Sequence, residues 1–253
     1  MDAMKQLSKN GFSLTRDNFA AVVVGGEDKN LVCRAAKDAG WLEFRVDEFL
    51  RRFPEERLLK WLSSSFISSP LRGEVKGEGE KKNYRIIGTV RSDRERQEGG
   101  LHLPEKKRLE IYKKIIDCVD YVDVEIRSAI AGEVIKRAKK RKKKVILSYH
   151  NFSKTPSLQT LKKVFGEGRK LRPDIIKVAT RARSENDLFA LISLTRRHAD
   201  KFPLVVIPMG VPACGRLAPL YFGSLFTYIS IEKKTAPGQI SHEDLRSLKC
   251  MGL

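Results

Sequence analysis

The chain has 253 residues, 41% apolar and 32% charged, the balance of a soluble globular protein long enough for one large α/β domain or two small ones. Its 50 basic and 31 acidic residues give a net charge of +19, which favours anionic partners: nucleic acid, a membrane surface or a small anionic substrate. No apolar run has the length of a membrane span, no signal-peptide core opens the chain, and Cys33, Cys118, Cys214 and Cys250 form no CxxC pair. A transmembrane protein, a disulfide framework and a zinc site are therefore not expected, and the chain reads as cytoplasmic.

Eight short runs rich in Val, Ile and Leu read as strands. In chain order they are AAVVVGG (20–26), WLEFRVD (41–47), YRIIGTVR (84–91), YVDVEI (121–126), KVILSYH (144–150), DIIKVAT (174–180), PLVVIPM (203–209) and SLFTYIS (224–230). Segments of helical composition lie between most of them, among them KNLVCRAAKDAG, PEKKRLEIYKKIIDCV, SLQTLKKVFGEGRKL and ENDLFALISLTRRHAD. Alternation of this kind predicts a parallel sheet covered by helices. Eight units in 253 residues predict a closed (β/α)8 TIM barrel. The competing open, doubly wound sheet would carry a Gly-rich turn after its first strand. Only Gly25 and Gly26 stand there, followed by Glu27 and Asp28, a poor phosphate cradle. Residues 63–83, rich in Ser, Gly and charge, read as a flexible insertion in a single catalytic domain spanning 1–253, because the strand–helix rhythm resumes after them. The cationic run KKRKKK (139–144) follows the helical pattern AGEVIKRA and reads as a helix end that complements the helix dipole. It lacks the interleaved aromatics that single-stranded nucleic acid would favour, so nucleic acid is not the expected partner.

Polar residues gather toward the strand ends, where barrels place their chemistry. Glu43, Arg45 and Asp47 alternate with Phe44 and Val46 and so share one strand face. Thr89 with Arg91, Asp123 with Glu125 and Ser148 with His150 repeat the spacing. Lys177 sits among Ile175, Ile176, Val178 and Ala179, and Arg216 follows the seventh strand. Singly, each has a bland reading: a buried ion pair, a hydrogen-bonded structural histidine, a lysine at a sheet edge. Together they require a ligand or a dense ion network, because buried charges are costly. A lysine in apolar surroundings near other cations has its pKa lowered and becomes an amine nucleophile toward carbonyls. An imine acidifies the neighbouring carbon, and His150, with a pKa near working pH, is the natural base. Nearby arginines imply a carboxylate substrate. The residues alone thus point to an imine-forming lyase or aldolase acting on a small hydroxy-keto acid.

The motifs EFRVD (43–47), TVR (89–91), EGG (98–100), DVE (123–125), SYHNF (148–152), DIIKVA (174–179), PMG (208–210), GRL (215–217) and TAPGQI (235–240) follow one another along the chain. In this order the sequence resembles the type I 3-dehydroquinate dehydratases, the Schiff-base dehydratases of the shikimate pathway. The resemblance covers nearly the whole chain apart from the insertion. It implies syn-elimination of water from 3-dehydroquinate to give 3-dehydroshikimate. Lys177 would form the imine. His150 would remove the α-proton and then protonate the departing hydroxyl, and Glu98 would orient His150. Arg216 would bind the substrate carboxylate. Glu43, Arg45, Arg91, Thr235 and Gln239 would contact its hydroxyls or order the site, Met209 and Phe152 would form apolar walls, and the loop at 235–239 would close over the ligand. The resemblance implies no metal or organic cofactor, since the lysine is itself the electron sink, and it admits a homodimer. Three positions depart from the family pattern: Asn151 stands where Asp is usual, Thr235 where Ser is common, and six residues separate Arg91 from Glu98 where fewer are expected. A different class I aldolase would share the lysine logic without the 43–47 and 235–239 motifs. A catalytically lapsed barrel binding nucleic acid would rest on the charge alone.

Overall fold

The computed structural model describes residues 13–62, 84–95 and 101–250, so the segment read as an insertion, 63–83, lies outside the described residues. Strand and helix alternate from β1 (Phe19–Val23) and α1 (Lys29–Asp38) to β2 (Trp41–Arg45), followed by α2 (Val46–Leu50) and α3 (Glu56–Leu62). Next come β3 (Arg85–Thr89), α4 (Glu105–Ile115), β4 (Tyr121–Glu125), α5 (Ala131–Lys140), β5 (Lys144–Asn151), α6 (Leu158–Lys170) and β6 (Ile175–Arg181). The chain closes with α7 (Glu185–His198), β7 (Leu204–Met209), α8 (Ala213–Tyr221), β8 (Thr227–Ser230), β9 (Ile240–Ser241) and α9 (His242–Cys250).

Every strand pairing is parallel, in the order β7-β6-β5-β4-β3-β2-β1-β8-β9. The seam between β7 and β8 is bridged by backbone bonds from Leu225 N–H to the Leu204 carbonyl (2.9 Å) and from Gly210 N–H to the Pro237 carbonyl (3.0 Å). The result is the expected TIM-barrel architecture. Short side-chain caps start three of the helices: Asp28 accepts from the Asn30 and Leu31 amides, Ser157 from Thr160 and Ser184 from Asp187. Helix α5 buries Ala131, Val134, Ile135 and Ala138, one stripe at helical spacing. The cationic run at 139–144 ends that helix, with Lys142 in the left-handed region (φ 55°).

Alternation along each strand sorts two cores. Phe19, Ala21, Val23, Leu42, Phe44, Val122, Val124, Val145 and Leu147 face outward to the helices. Ala20, Val22, Trp41, Ile87, Tyr121, Ile146, Ile175, Val205 and Phe226 face inward. Trp41 packs 5.0 Å from Tyr121 and 4.6 Å from Phe226, closing the N-terminal end of the barrel with aromatic rings. Such a packed floor leaves polar inward positions only toward the C-terminal end.

Several boundaries differ from the sequence expectation; β1, expected over 20–26, spans Phe19–Val23. β2 stops at Arg45 and β3 at Thr89, so Asp47 and Arg91 lie just past their strands. The cause is Asp47, whose carboxylate accepts from Arg45 Nε (3.0 Å), Arg45 Nη2 (2.6 Å) and the Arg91 amide (3.3 Å), while sitting in the first turn of α2, where an acid is favoured. β8 begins at Thr227, because Ser224 meets β7 through its side chain, accepting from the Val206 amide at 3.0 Å. Among the described residues no helix is long and apolar enough to cross a membrane.

Candidate active site

At the C-terminal end of the strands a cavity of about 330 Å³ opens above the aromatic floor. Lys177, His150, Glu43, Arg45, Arg91, Arg216, Thr235, Gln239, Met209 and Phe152, ten residues singled out from the sequence, all line it. Register explains the convergence. Glu125 is opposite Ser148 and Ser148 is opposite Lys177, so inward positions of β4, β5 and β6 stand side by side.

Lys177 is 2% exposed. Its ammonium is ion-paired with Asp123 and lies 3.6 Å from Glu43. These two carboxylates, distant in sequence, reach the lysine only through the fold. Lys177 also donates to the hydroxyl of Tyr228 at 3.2 Å. Burial opposes ionisation of Asp123, yet the charges of Lys177 and Arg91 hold its carboxyl below the usual carboxylate range. Ser148 donates to Asp123 at 2.6 Å, and Thr89 donates to Glu43 at 2.7 Å.

Arg91 organises the neighbouring side. Its Nη1 reaches Ser148 Oγ (2.9 Å), Glu125 (3.1 Å), Asp123 (3.4 Å) and His150 Nδ1 (3.3 Å). Burial disfavours this guanidinium, and Asp123, Glu125 and Glu43 outweigh that effect. Glu125 is fixed from below by Arg108, which is fully buried and also donates to the Val90 carbonyl at 2.7 and 2.9 Å. Together these bonds tie the ends of β3 and β4 into one rigid frame.

His150 is held well below its ordinary value, first by burial and then by the positive charges of Arg91 and Lys177. The value near working pH expected for a histidine here is lowered by the desolvation that the barrel imposes. A neutral imidazole is a base ready to accept a proton. The carboxylate that the structure brings to it is Glu95, whose Oε2 accepts from the His150 amide (2.7 Å) and lies 3.3 Å from Nδ1. Glu98, assigned that role from the motif, lies outside the described residues. Glu95, four residues from Arg91, was not singled out from the sequence. Burial and the charge of Glu125 push the Glu95 carboxyl up to about 7. Phe152 lies parallel to the His150 ring at 6.3 Å. Asn151 points its carbonyl oxygen at the Ser153 and Lys154 amides (3.0 and 2.9 Å), a turn that the usual Asp would form equally well.

Arg216 is 1% exposed and, among the described residues, has no carboxylate partner. It donates to the carbonyls of Pro237 (2.6 Å) and Gly238 (3.2 Å), and burial alone lowers it to about 10. A buried cation without a counter-ion beside a cavity is an anion site. The same bonds anchor the 235–239 loop. Gly238 has φ 69° and lies against the backbone of Gly210 and Val211, where a side chain has no room. Gln239 is 2% exposed; its carbonyl oxygen accepts from the Thr235 amide (2.7 Å) and hydroxyl (3.1 Å), which leaves its NH2 without a partner among the described residues. Among the described residues no group of three or more His, Cys, Asp or Glu is placed to hold a metal ion. Tyr228, absent from the sequence reading, was visible in principle, because alternation places it inward with Phe226.

Comparison with known proteins agrees with this geometry. The family model for Type I 3-dehydroquinase matches residues 22–251. The 3-dehydroquinate dehydratase of Thermococcus gammatolerans is 42% identical over 238 residues, covering 92% of this chain and 98% of that protein. Its counterpart in Hydrogenobaculum sp. is 32% identical over 233 residues, covering 91% and 97%. The crystal structure of the Geobacillus kaustophilus enzyme superposes with a TM-score of 0.74 at 29% identity, covering 93% of this chain and 90% of that one. The type I enzyme of Clostridium difficile gives 0.73 at 27% identity, covering 94% and 92%. Fold alone would leave the chemistry open; with a family match that runs through every strand of the barrel, the chain belongs to the type I 3-dehydroquinases.

Proposed function

We propose that this 3-dehydroquinate dehydratase eliminates water through an imine on Lys177. The observation that carries the reading is a buried lysine and a neutral histidine facing one cavity, with an uncompensated arginine on its wall. The substrate carboxylate pairs with Arg216, and its hydroxyls meet Gln239, Thr235, Glu43, Arg45 and Arg91. Lys177 adds to the ketone and loses its oxygen as water, giving an iminium. The iminium draws electrons from the adjacent carbon, and His150 takes the proton from it. The resulting enamine expels the β-hydroxyl, which receives the proton back from the His150 imidazolium and leaves as water. Hydrolysis of the remaining imine frees the product and Lys177. Glu95 orients His150 by holding its amide and ring nitrogen. Met209 and Phe152 supply apolar walls, and the 235–239 loop excludes water. The Clostridium difficile relative was solved with covalently modified comenic acid, which supports covalent chemistry in such a site.

The test is conversion of 3-dehydroquinate to 3-dehydroshikimate by the wild type and by Lys177→Ala. Loss of at least about a thousandfold in kcat, with the variant folded, supports the imine. Full activity in Lys177→Ala overturns it.

A further inference from the structure

Tyr228 stands beside the nucleophile without any part in the reaction as written above. Its hydroxyl accepts from Lys177 Nζ at 3.2 Å, and Nζ also sits 4.8 Å from the centre of its ring. Tyr228 lines the cavity and is 7% exposed. Among the described residues the phenol's own O–H reaches no acceptor, so it is free to donate to an oxygen held in the cavity. Burial, with Glu43 and Asp123 nearby, pushes the phenol well above its ordinary value, so it remains an O–H throughout the working range. The ring is fixed edge-on to Phe226, 5.5 Å between centroids at 81°.

Imine formation sets a proton problem at this spot. An ammonium and a ketone become an iminium and water, so two protons leave the nitrogen and both end on the oxygen that departs. Charge and atoms balance with no outside acid, provided that protons can pass from nitrogen to oxygen. A direct N-to-O transfer across the forming C–N bond has poor geometry. A hydroxyl that accepts from the nitrogen and donates to the oxygen bridges the two.

We propose that Tyr228 is a catalytic residue for imine formation and hydrolysis, its hydroxyl relaying protons between Lys177 Nζ and the substrate ketone oxygen. As Nζ bonds to the carbonyl carbon, the π pair moves to oxygen. The phenol gives its proton to that oxygen and takes one from Nζ in the same movement, so no phenolate is left. A second relay converts the carbinolamine hydroxyl to water as the C=N bond forms. Hydrolysis runs the same path backwards. The later α-proton removal by His150 does not involve Tyr228.

The proposal rests on the imine reading and is tested by a readout that separates the two. Wild type, Tyr228→Phe and Tyr228→Met are mixed with 3-dehydroquinate and quenched with borohydride at successive times, and reduced adduct on Lys177 is quantified by mass spectrometry. Tyr228→Phe keeps the ring, its contact with Phe226 and the cation–π geometry, so its fold is preserved. Its adduct should form about 10- to 100-fold more slowly. The primary isotope effect for α-deuterated substrate should shrink as imine formation becomes rate-limiting. Adduct formation at the wild-type rate in Tyr228→Phe overturns the relay, and so does a slow Tyr228→Met beside a normal Tyr228→Phe, which would assign the effect to the ring. Absence of any adduct in the wild type would instead overturn the imine.

Discussion

Glu95→Gln isolates the carboxylate beside His150. Burial and Glu125 raise this group from 4.5 to about 7, against the opposing pull of the His150 amide and of Arg91. The folded protein therefore keeps a proton that the unfolded chain has already released between these two values. The contribution to stability is complete below about 4.5 and is lost as the pH rises through about 7. Above that, the ionised carboxylate costs the fold about 3 kcal/mol, at ~1.4 kcal/mol per pKa unit. An amide at position 95 does not titrate. The stability of Glu95→Gln relative to the wild type should therefore grow by about 3 kcal/mol between about pH 4 and about pH 8, whatever fixed offset the amide introduces. Urea denaturation of both proteins across that range, read as midpoints at a common slope, gives the difference directly. Parallel curves would refute the reasoning. The same group should govern catalysis in the substrate-free enzyme: the acid limb of kcat/KM should have a midpoint near 7 and vanish in Glu95→Gln. His150, held well below its ordinary value, does not supply that limb.

Removing the base, in His150→Ala, should lower kcat by about 10²- to 10⁴-fold while borohydride still traps an imine on Lys177. Arg216→Lys keeps a charge but loses the planar fork, and KM for 3-dehydroquinate should rise about 10- to 100-fold with a smaller change in kcat. Arg108→Met removes one of the two buried guanidiniums paired with Glu125, and urea denaturation should show a loss of about 3 kcal/mol.

Much of the barrel was legible because parallel strands buried on both faces must be apolar runs, and such runs are easy to count. Their ends were less legible. An alternating pattern such as EFRVD reads as strand throughout, and only the carboxylate of Asp47, folding back on Arg45, reveals the turn into α2. The site was legible where a residue type is costly to bury. Lys177, Arg91 and Glu43 stood out among apolar neighbours for that reason, and Arg216 stood out through the family motif. Glu95 was not legible, since sequence spacing alone does not say which carboxylates a loop brings to the imidazole. Tyr228 was hidden because a tyrosine in a strand passes for core; its importance comes from what faces it across the barrel, 51 residues away in sequence. Desolvation of His150 was likewise invisible, being a property of the closed barrel and of Arg91 and Lys177 together.

The central claim is the covalent bond at Lys177. Incubating the protein with 3-dehydroquinate and borohydride, then locating added mass by peptide mass spectrometry, tests it most directly. The account predicts a single reduced adduct on the peptide that carries Lys177, absent in Lys177→Ala. Dehydration that proceeds at full rate in folded protein, with no adduct on Lys177, would contradict it.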